Sequence, residues 1–90
     1  MKVTFKLVGY DRETEDLVEK HVIPAKYLDF AKKVAGIHND ATALGGDTPL
    51  TPSQARDIAG TINVTIDVTR RDYFLEPYVE KAPVKHHAHA

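Results

Sequence analysis

Five carboxylates crowd the stretch DRETEDLVE, residues 11–19: Asp11, Glu13, Glu15, Asp16 and Glu19 stand against Arg12 alone. A run this polar predicts a solvated turn that keeps an exposed loop soluble, or a negative field that steers a partner of opposite charge. His21 follows on the same face as Glu19 and Leu17 and reads as a surface or half-buried histidine, not a base. His38 sits beside Asn39 and Asp40 in a loop-rich stretch, residue types suited to metal or acid–base work, but without a His-x-x-x-His spacing. His86, His87 and His89 can meet a divalent metal only weakly, because nothing in the tail KAPVKHHAHA fixes a geometry or a supporting shell. There is no cysteine to act as nucleophile or ligand. No Gly-rich phosphate loop or Ser-His-Asp set stands in a recognisable context; Gly45-Gly46 alone is a loop signal. The expectation is therefore no enzyme, no cofactor and no metal site.

What must position these groups is a single small domain, residues 1–80, with residues 81–90 as a flexible tail. A chain of 90 residues buries about 60–65% of the surface its unfolded form exposes, so it has one thin core. The formal net charge of −1 lacks the basic surplus a nucleic-acid binder needs. No apolar run is long enough to span a bilayer. The N-terminus runs straight into a strand pattern, without the features of a signal peptide. With the absence of cysteine, this predicts a cytoplasmic protein.

Val3, Phe5 and Leu7 alternate with Thr4, Lys6 and Val8, which predicts a strand over 3–9. A turn built on the Asp11 carboxylate leads to a return strand over 16–23. Pro24 suits a helix's first turn. Tyr27, Leu28, Ala31, Val34 and Ala35 form an apolar stripe that Gly36 ends, predicting a helix over 25–35. Residues 37–50 read as loop, with any strand inside them unlocated. Thr51-Pro52-Ser53-Gln54 has the form of a capping box opening a two-turn helix that stops at Gly60. Ile62, Val64, Ile66 and Val68 alternate with Thr61, Asn63, Thr65, Asp67 and Thr69, predicting a strand over 61–69 with one buried and one wet side. After a turn at Arg70-Arg71-Asp72, Tyr73–Tyr78 predicts a further strand, an edge or one that ends at Pro77. Phe74 and Tyr78 share a side, and which side is buried stays open. The class is α+β: a mostly antiparallel sheet of about four strands with one or two short helices on one side.

The segments FKLVGYDRETEDLVEKH and INVTIDVTRRDYFLEPY resemble the two ends of the cloacin-type immunity proteins, small bacterial proteins that neutralise ribosome-cutting bacteriocins. The likeness rests on Tyr10, Asp11, Thr14, Glu15 and Asp16 at the first turn, and on Ile66, Asp67, Asp72, Tyr73 and Phe74 near the end. It implies an antiparallel sheet that lays an acidic, partly aromatic surface on a toxin's nuclease domain. Asn63, Thr65 and Asp67 then present polar groups from the 61–69 strand, with Asp72, Glu76 and Tyr78 alongside. Glu13, Glu15, Asp16 and Glu19 supply steering charge.

The expected function is a small protein-binding module, most specifically an immunity protein or antitoxin that masks a cognate bacteriocin nuclease toxin. The alternative is an accessory subunit of a larger complex, joined through the same side of the sheet or its edge. A histidine-tail metal carrier is a third reading. Neither nucleic acid nor membrane is expected as a partner, and the oligomeric state is open.

Overall fold

The structure, a computed structural model, describes residues 2–80, the side chains at positions 2, 42 and 80 excepted. The histidine tail lies outside the described residues. Strand β1 (Lys2–Asp11) turns back into β2 (Leu17–Val22), followed by a 3-10 turn (Ala25–Tyr27) that runs into α1 (Leu28–Ala35). A single helical turn, α2 (Asp40–Ala43), a short strand β3 (Thr48–Leu50), α3 (Pro52–Ile62) and β4 (Arg71–Glu80) complete the chain. The strands form one four-stranded sheet in the order β2-β1-β4-β3, every neighbouring pair antiparallel. The fold is α+β.

The local signals explain most of these elements. The Asp11 carboxylate accepts from the backbone N–H of Glu13 and Thr14, at 2.9 and 3.0 Å, and Glu15 takes a left-handed φ of 64° to close the turn. Helix α1 ends on Gly36 at φ 76°, where a side chain would be strained. At the start of α3 the Thr51 hydroxyl accepts from the Gln54 N–H, and the Gln54 side chain accepts from the Thr51 N–H. The same Gln54 amide donates to the Val34 carbonyl oxygen at 3.0 Å, which satisfies one end of α1 with one end of α3.

The core lies on one side of the sheet. Phe5 and Leu7 from β1, Tyr73 and Leu75 from β4, and Ile23 just past β2 pack with Ala31, Ala43, Ala55, Ile58 and Ala59 from the helices. The alanines let the helices approach the sheet closely.

The predicted strand over 61–69 does not form. Helix α3 continues through Gly60 to Ile62, and Asn63, not Gly60, takes the left-handed stop at φ 61°. Residues 64–70 then run in irregular backbone to β4. Their apolar alternation is real, because Val64, Ile66 and Val68 pack against the core, but they pair with no strand. The place beside β4 is taken by β3, through Thr48↔Leu75, Pro49↔Phe74 and Leu50↔Tyr73. Side chains satisfy the segment's backbone instead. Arg12 donates to the carbonyl oxygens of Val68, Thr69 and Arg71 at 3.1–3.2 Å, and the Asp67 N–H donates to the Tyr73 hydroxyl at 3.0 Å. Nor do Arg71 and Asp72 form a turn: they begin β4. That strand lies inside the sheet and runs past Pro77, which sits beyond the reach of β3.

Candidate functional site

Strand alternation gives the sheet two unlike sides. The odd-numbered residues of β1 and β4 meet the helices. Thr4, Lys6, Val8 and Tyr10 of β1, with Asp72, Phe74, Glu76 and Tyr78 of β4, point the other way. Their pairing sets them in rows: Thr4↔Tyr78, Lys6↔Glu76, Val8↔Phe74, Tyr10↔Asp72. Leu17, Lys20 and Val22 extend the rows on β2, opposite Tyr10, Val8 and Lys6 across a β-bulge that leaves Val18 unpaired, and Pro49 does so on β3. No described helix places a core residue here.

Long side chains shelter this open side without closing it. The Tyr10 and Phe74 rings meet edge to face, 5.6 Å apart and 87° between planes. The Lys6 ammonium stands 4.5 Å from the centre of the Tyr78 ring. Lys20 reaches from β2 to Glu76 on β4, 3.8 Å away. Between them Val8 is fully buried, although it lies outside the helix-covered cluster. Tyr10, Phe74 and Tyr78 remain half-buried, and Val22 is 57% exposed.

At one end of this side lies an open cleft of about 350 Å³, lined by Tyr10, Asp11, Arg12, Glu15, Asp47, Asp72 and Phe74. Arg12 is committed there, its Nε donating to Asp72 at 3.0 Å. Burial, and then the negative charge of Glu76, push the Asp47 carboxyl above the usual carboxylate range. The charge of Lys20 opposes this only in part.

The residues expected to bind a partner separate into groups. Asp72, Glu76 and Tyr78 come together on the open side, with Glu15 at its rim in the cleft. Glu13 and Asp16 are exposed on the hairpin turn. Asn63, Thr65 and Asp67 form no platform. Asn63 caps α3, Thr65 is an exposed loop residue, and Asp67 holds a local turn by accepting from the Thr69 N–H and hydroxyl at 3.1 and 2.6 Å. That hydroxyl, ahead of the backbone contacts, lowers the Asp67 pKa against a smaller opposing effect of burial.

Glu19 points to the helix side. Its side chain is only 9% exposed and accepts from Arg71 and Tyr73 on one oxygen, with His21 2.9 Å from the other. Burial pushes its pKa up, but the hydrogen bonds from Tyr73, His21 and Arg71 together outweigh this and hold it below the ordinary glutamate value. The Tyr73 ring crosses β1 to reach Glu19, and Gly9 makes room for it. A Cβ at position 9 would stand 2.7 Å from a Tyr73 ring carbon. This network ties β2, β4 and the 64–70 segment together and has structural, not recognition, geometry.

Sequence reasoning did not select Lys6, Tyr10, Leu17, Lys20, Val22, Asp47 or Phe74 for the surface. The alternation in β1 and the shared side of Phe74 and Tyr78 were the available signals. What was missing was the pairing of β1 with β4, which joins the two ends of the chain.

Among the described residues no group of three His, Asp or Glu side chains can hold a metal ion, and no helix is long and apolar enough to cross a membrane. No curated protein and no solved structure matches the chain. A family model does match residues 4–76, from β1 into β4, and the chain belongs to that family, described as a domain of unknown function (DUF7683).

Proposed function

We propose that this protein is a non-catalytic binding module that works by laying the open side of its sheet against another protein. One observation carries the reading: a rigid sheet, anchored by helices on one side, holds half-buried aromatic rings among paired charges on the other. Half-exposed tyrosine and phenylalanine bring large contact area at little cost in ordering, and the surrounding charges set register and encounter rate.

The most specific form is an immunity role, masking a bacteriocin nuclease domain. It is supported by where the motif residues of the resemblance fall: Tyr10, Asp11, Glu15, Asp72 and Phe74 all line the cleft at one end of the open side. The Ile66-Asp67 part of that resemblance brings no strand. The test is co-expression with a candidate nuclease domain, scoring ribosome cleavage. Phe74→Ala and Glu76→Lys are expected to weaken protection, while Arg56→Glu, on the helix side, leaves it intact. Equal protection by all three sinks the proposed surface.

A second reading, an accessory subunit joined by strand addition, has its own observation. The Ile23 N–H donates to the Phe5 carbonyl oxygen, so by antiparallel alternation Lys20 and Val22 turn their backbone groups away from β1. Among the described residues no strand pairs with that edge, and Val22 on it is exposed. A partner strand there would slow amide exchange at Lys20 and Val22; a partner on the open side would leave those two amides at their free rates.

A further inference from the structure

The charges of the open side are not scattered. On the β2–β1 half they are Lys20 and Lys6; Arg12, just past the end of β1, is taken up by Asp72, and Asp11 and Glu15 line the cleft at that end. On the β4–β3 half they are Glu76 and Asp72, with Asp47 just before β3, and Val8, Phe74, Tyr10 and Tyr78 lie between. Away from the cleft the side is therefore positive on one half, negative on the other and apolar along the middle.

This pattern is antisymmetric about a line parallel to the strands, between β1 and β4. A two-fold axis along that line, just above the sheet, turns one copy onto another with each half meeting its opposite. Because β1 and β4 are already paired Lys6↔Glu76, Val8↔Phe74 and Tyr10↔Asp72, the same pairs recur between copies. Lys6 of each copy comes over Glu76 of the other, Val8 over Phe74, and the Tyr10 hydroxyl near Asp72. Lys20 comes over the β3 edge near Asp47. Two sheets stacked this way sit about 10 Å apart, with the axes of their facing strands parallel. Glu13 and Asp16 of the hairpin turn lie beyond the strand ends, while Asp11 and Glu15 line the cleft at that end.

We infer that the open side of the sheet is self-complementary, and that a second copy of this chain occupies it in an isologous, face-to-face dimer. The inference rests on reading this side as a binding surface and names its occupant. A net charge of −1 opposes association little, and a two-fold interface needs a surface that is its own complement, which this charge layout supplies. Four strands at the usual spacings present roughly 500 Å² per copy, less than the ~800 Å² of a standard interface, so the dimer is weak. Any other protein using this side competes with the second copy.

Sedimentation velocity on the full chain from about 10 to about 1000 µM, the range suited to a weak interface, tests it. Wild type is expected to shift from monomer to dimer over this range. Lys6→Glu alone and Glu76→Lys alone each place like charges opposite one another twice, and each is expected to raise the dissociation constant at least about tenfold. Mixed in equal amounts, the two restore opposite charges at both contacts and are expected to dimerise with each other near the wild-type constant. Circular dichroism on each variant confirms that it is folded. A wild-type monomer throughout overturns the dimer, as do single variants that associate like wild type or a mixture that stays monomeric. If Glu76→Lys still weakens binding to another protein in that case, only the self-association falls and the binding surface stands.

Discussion

The two sides of this sheet are made by the same strands and differ in what holds them still. On the helix side Leu75 is covered by a packed core whose elements are locked by capping, by the Gln54 bond to α1 and by the Glu19 network. On the open side Val8 is as fully buried as Leu75, but its cover is the ends of Lys20, Glu76, Lys6 and the aromatic rings. Complete burial therefore does not mean equal rigidity. A roof of long side chains sheds water from the apolar centre, yet can part when another surface arrives. The helix side buys stability; the open side keeps a surface available.

That comparison breaks if truncation to alanine costs as much on the open side as in the core. Leu75→Ala should destabilise the protein by about 2–5 kcal/mol, because packed neighbours cannot close over the cavity. Val8→Ala should cost about 1 kcal/mol, because the side chains above it can settle into the space. Urea unfolding monitored by circular dichroism measures both. A Val8→Ala loss as large as that of Leu75→Ala would show the open side to be as fixed as the core.

Gly9 offers a sharper test within the helix side. Gly9→Ala puts a methyl group where the Tyr73 ring crosses β1, so the ring must move away from Glu19. The expected loss is about 1–3 kcal/mol, accompanied by faster amide exchange at Asp67, whose N–H donates to the Tyr73 hydroxyl. Destabilisation without that faster exchange would mean that the ring keeps its place and the backbone yields instead.

The Glu19 network also gives the helix side its pH dependence. The folded-state pKa of Glu19 is depressed, so its contribution is fully present above the ordinary glutamate value and is lost as pH falls through the lower folded value. Stability should therefore fall with acid below the normal carboxylate range, and Glu19→Gln should flatten that part of the curve while lowering stability at neutral pH. Thermal unfolding across that acid range in wild type and variant reads both effects. An unchanged acid slope in the variant would assign the loss to other carboxylates.

How much of this was legible depended on the range of the signal. The Asp11 turn, the Gly36 stop and the Thr51–Gln54 capping box act between residues at most four apart, and each formed as the sequence implied. The 61–69 stretch misled because its apolar residues do alternate inward. A helix end, a left-handed Asn63 and an extended loop pressed on the core produce the same period as a strand. The deciding fact was elsewhere, in a three-residue β3 containing Pro49 that took the edge of β4. Pro77 misled for a related reason: it is tolerated inside the sheet because β3 reaches only from Tyr73 to Leu75. The candidate site was hidden at the same level. Its rows pair residues of β1 with residues of β4 some seventy positions away, and no local pattern records that adjacency.

The smallest expected effect is the most telling about the open side. Lys20 and Glu76 stand 3.8 Å apart with side chains 44% and 30% exposed, and an ion pair so wet contributes little against the cost of ordering two long side chains. Lys20→Met keeps the apolar stem over Val8 and deletes only the charge. Its stability should stay within about 0.5 kcal/mol of wild type, and the difference should not change between low and high salt. Urea unfolding at two ionic strengths checks this. A larger, salt-dependent loss would make the pair a strut of the fold and weaken the case that these charges face outward for another surface. A negligible loss leaves the charges of the open side free of any duty to the monomer, so their ordered layout needs an explanation outside it.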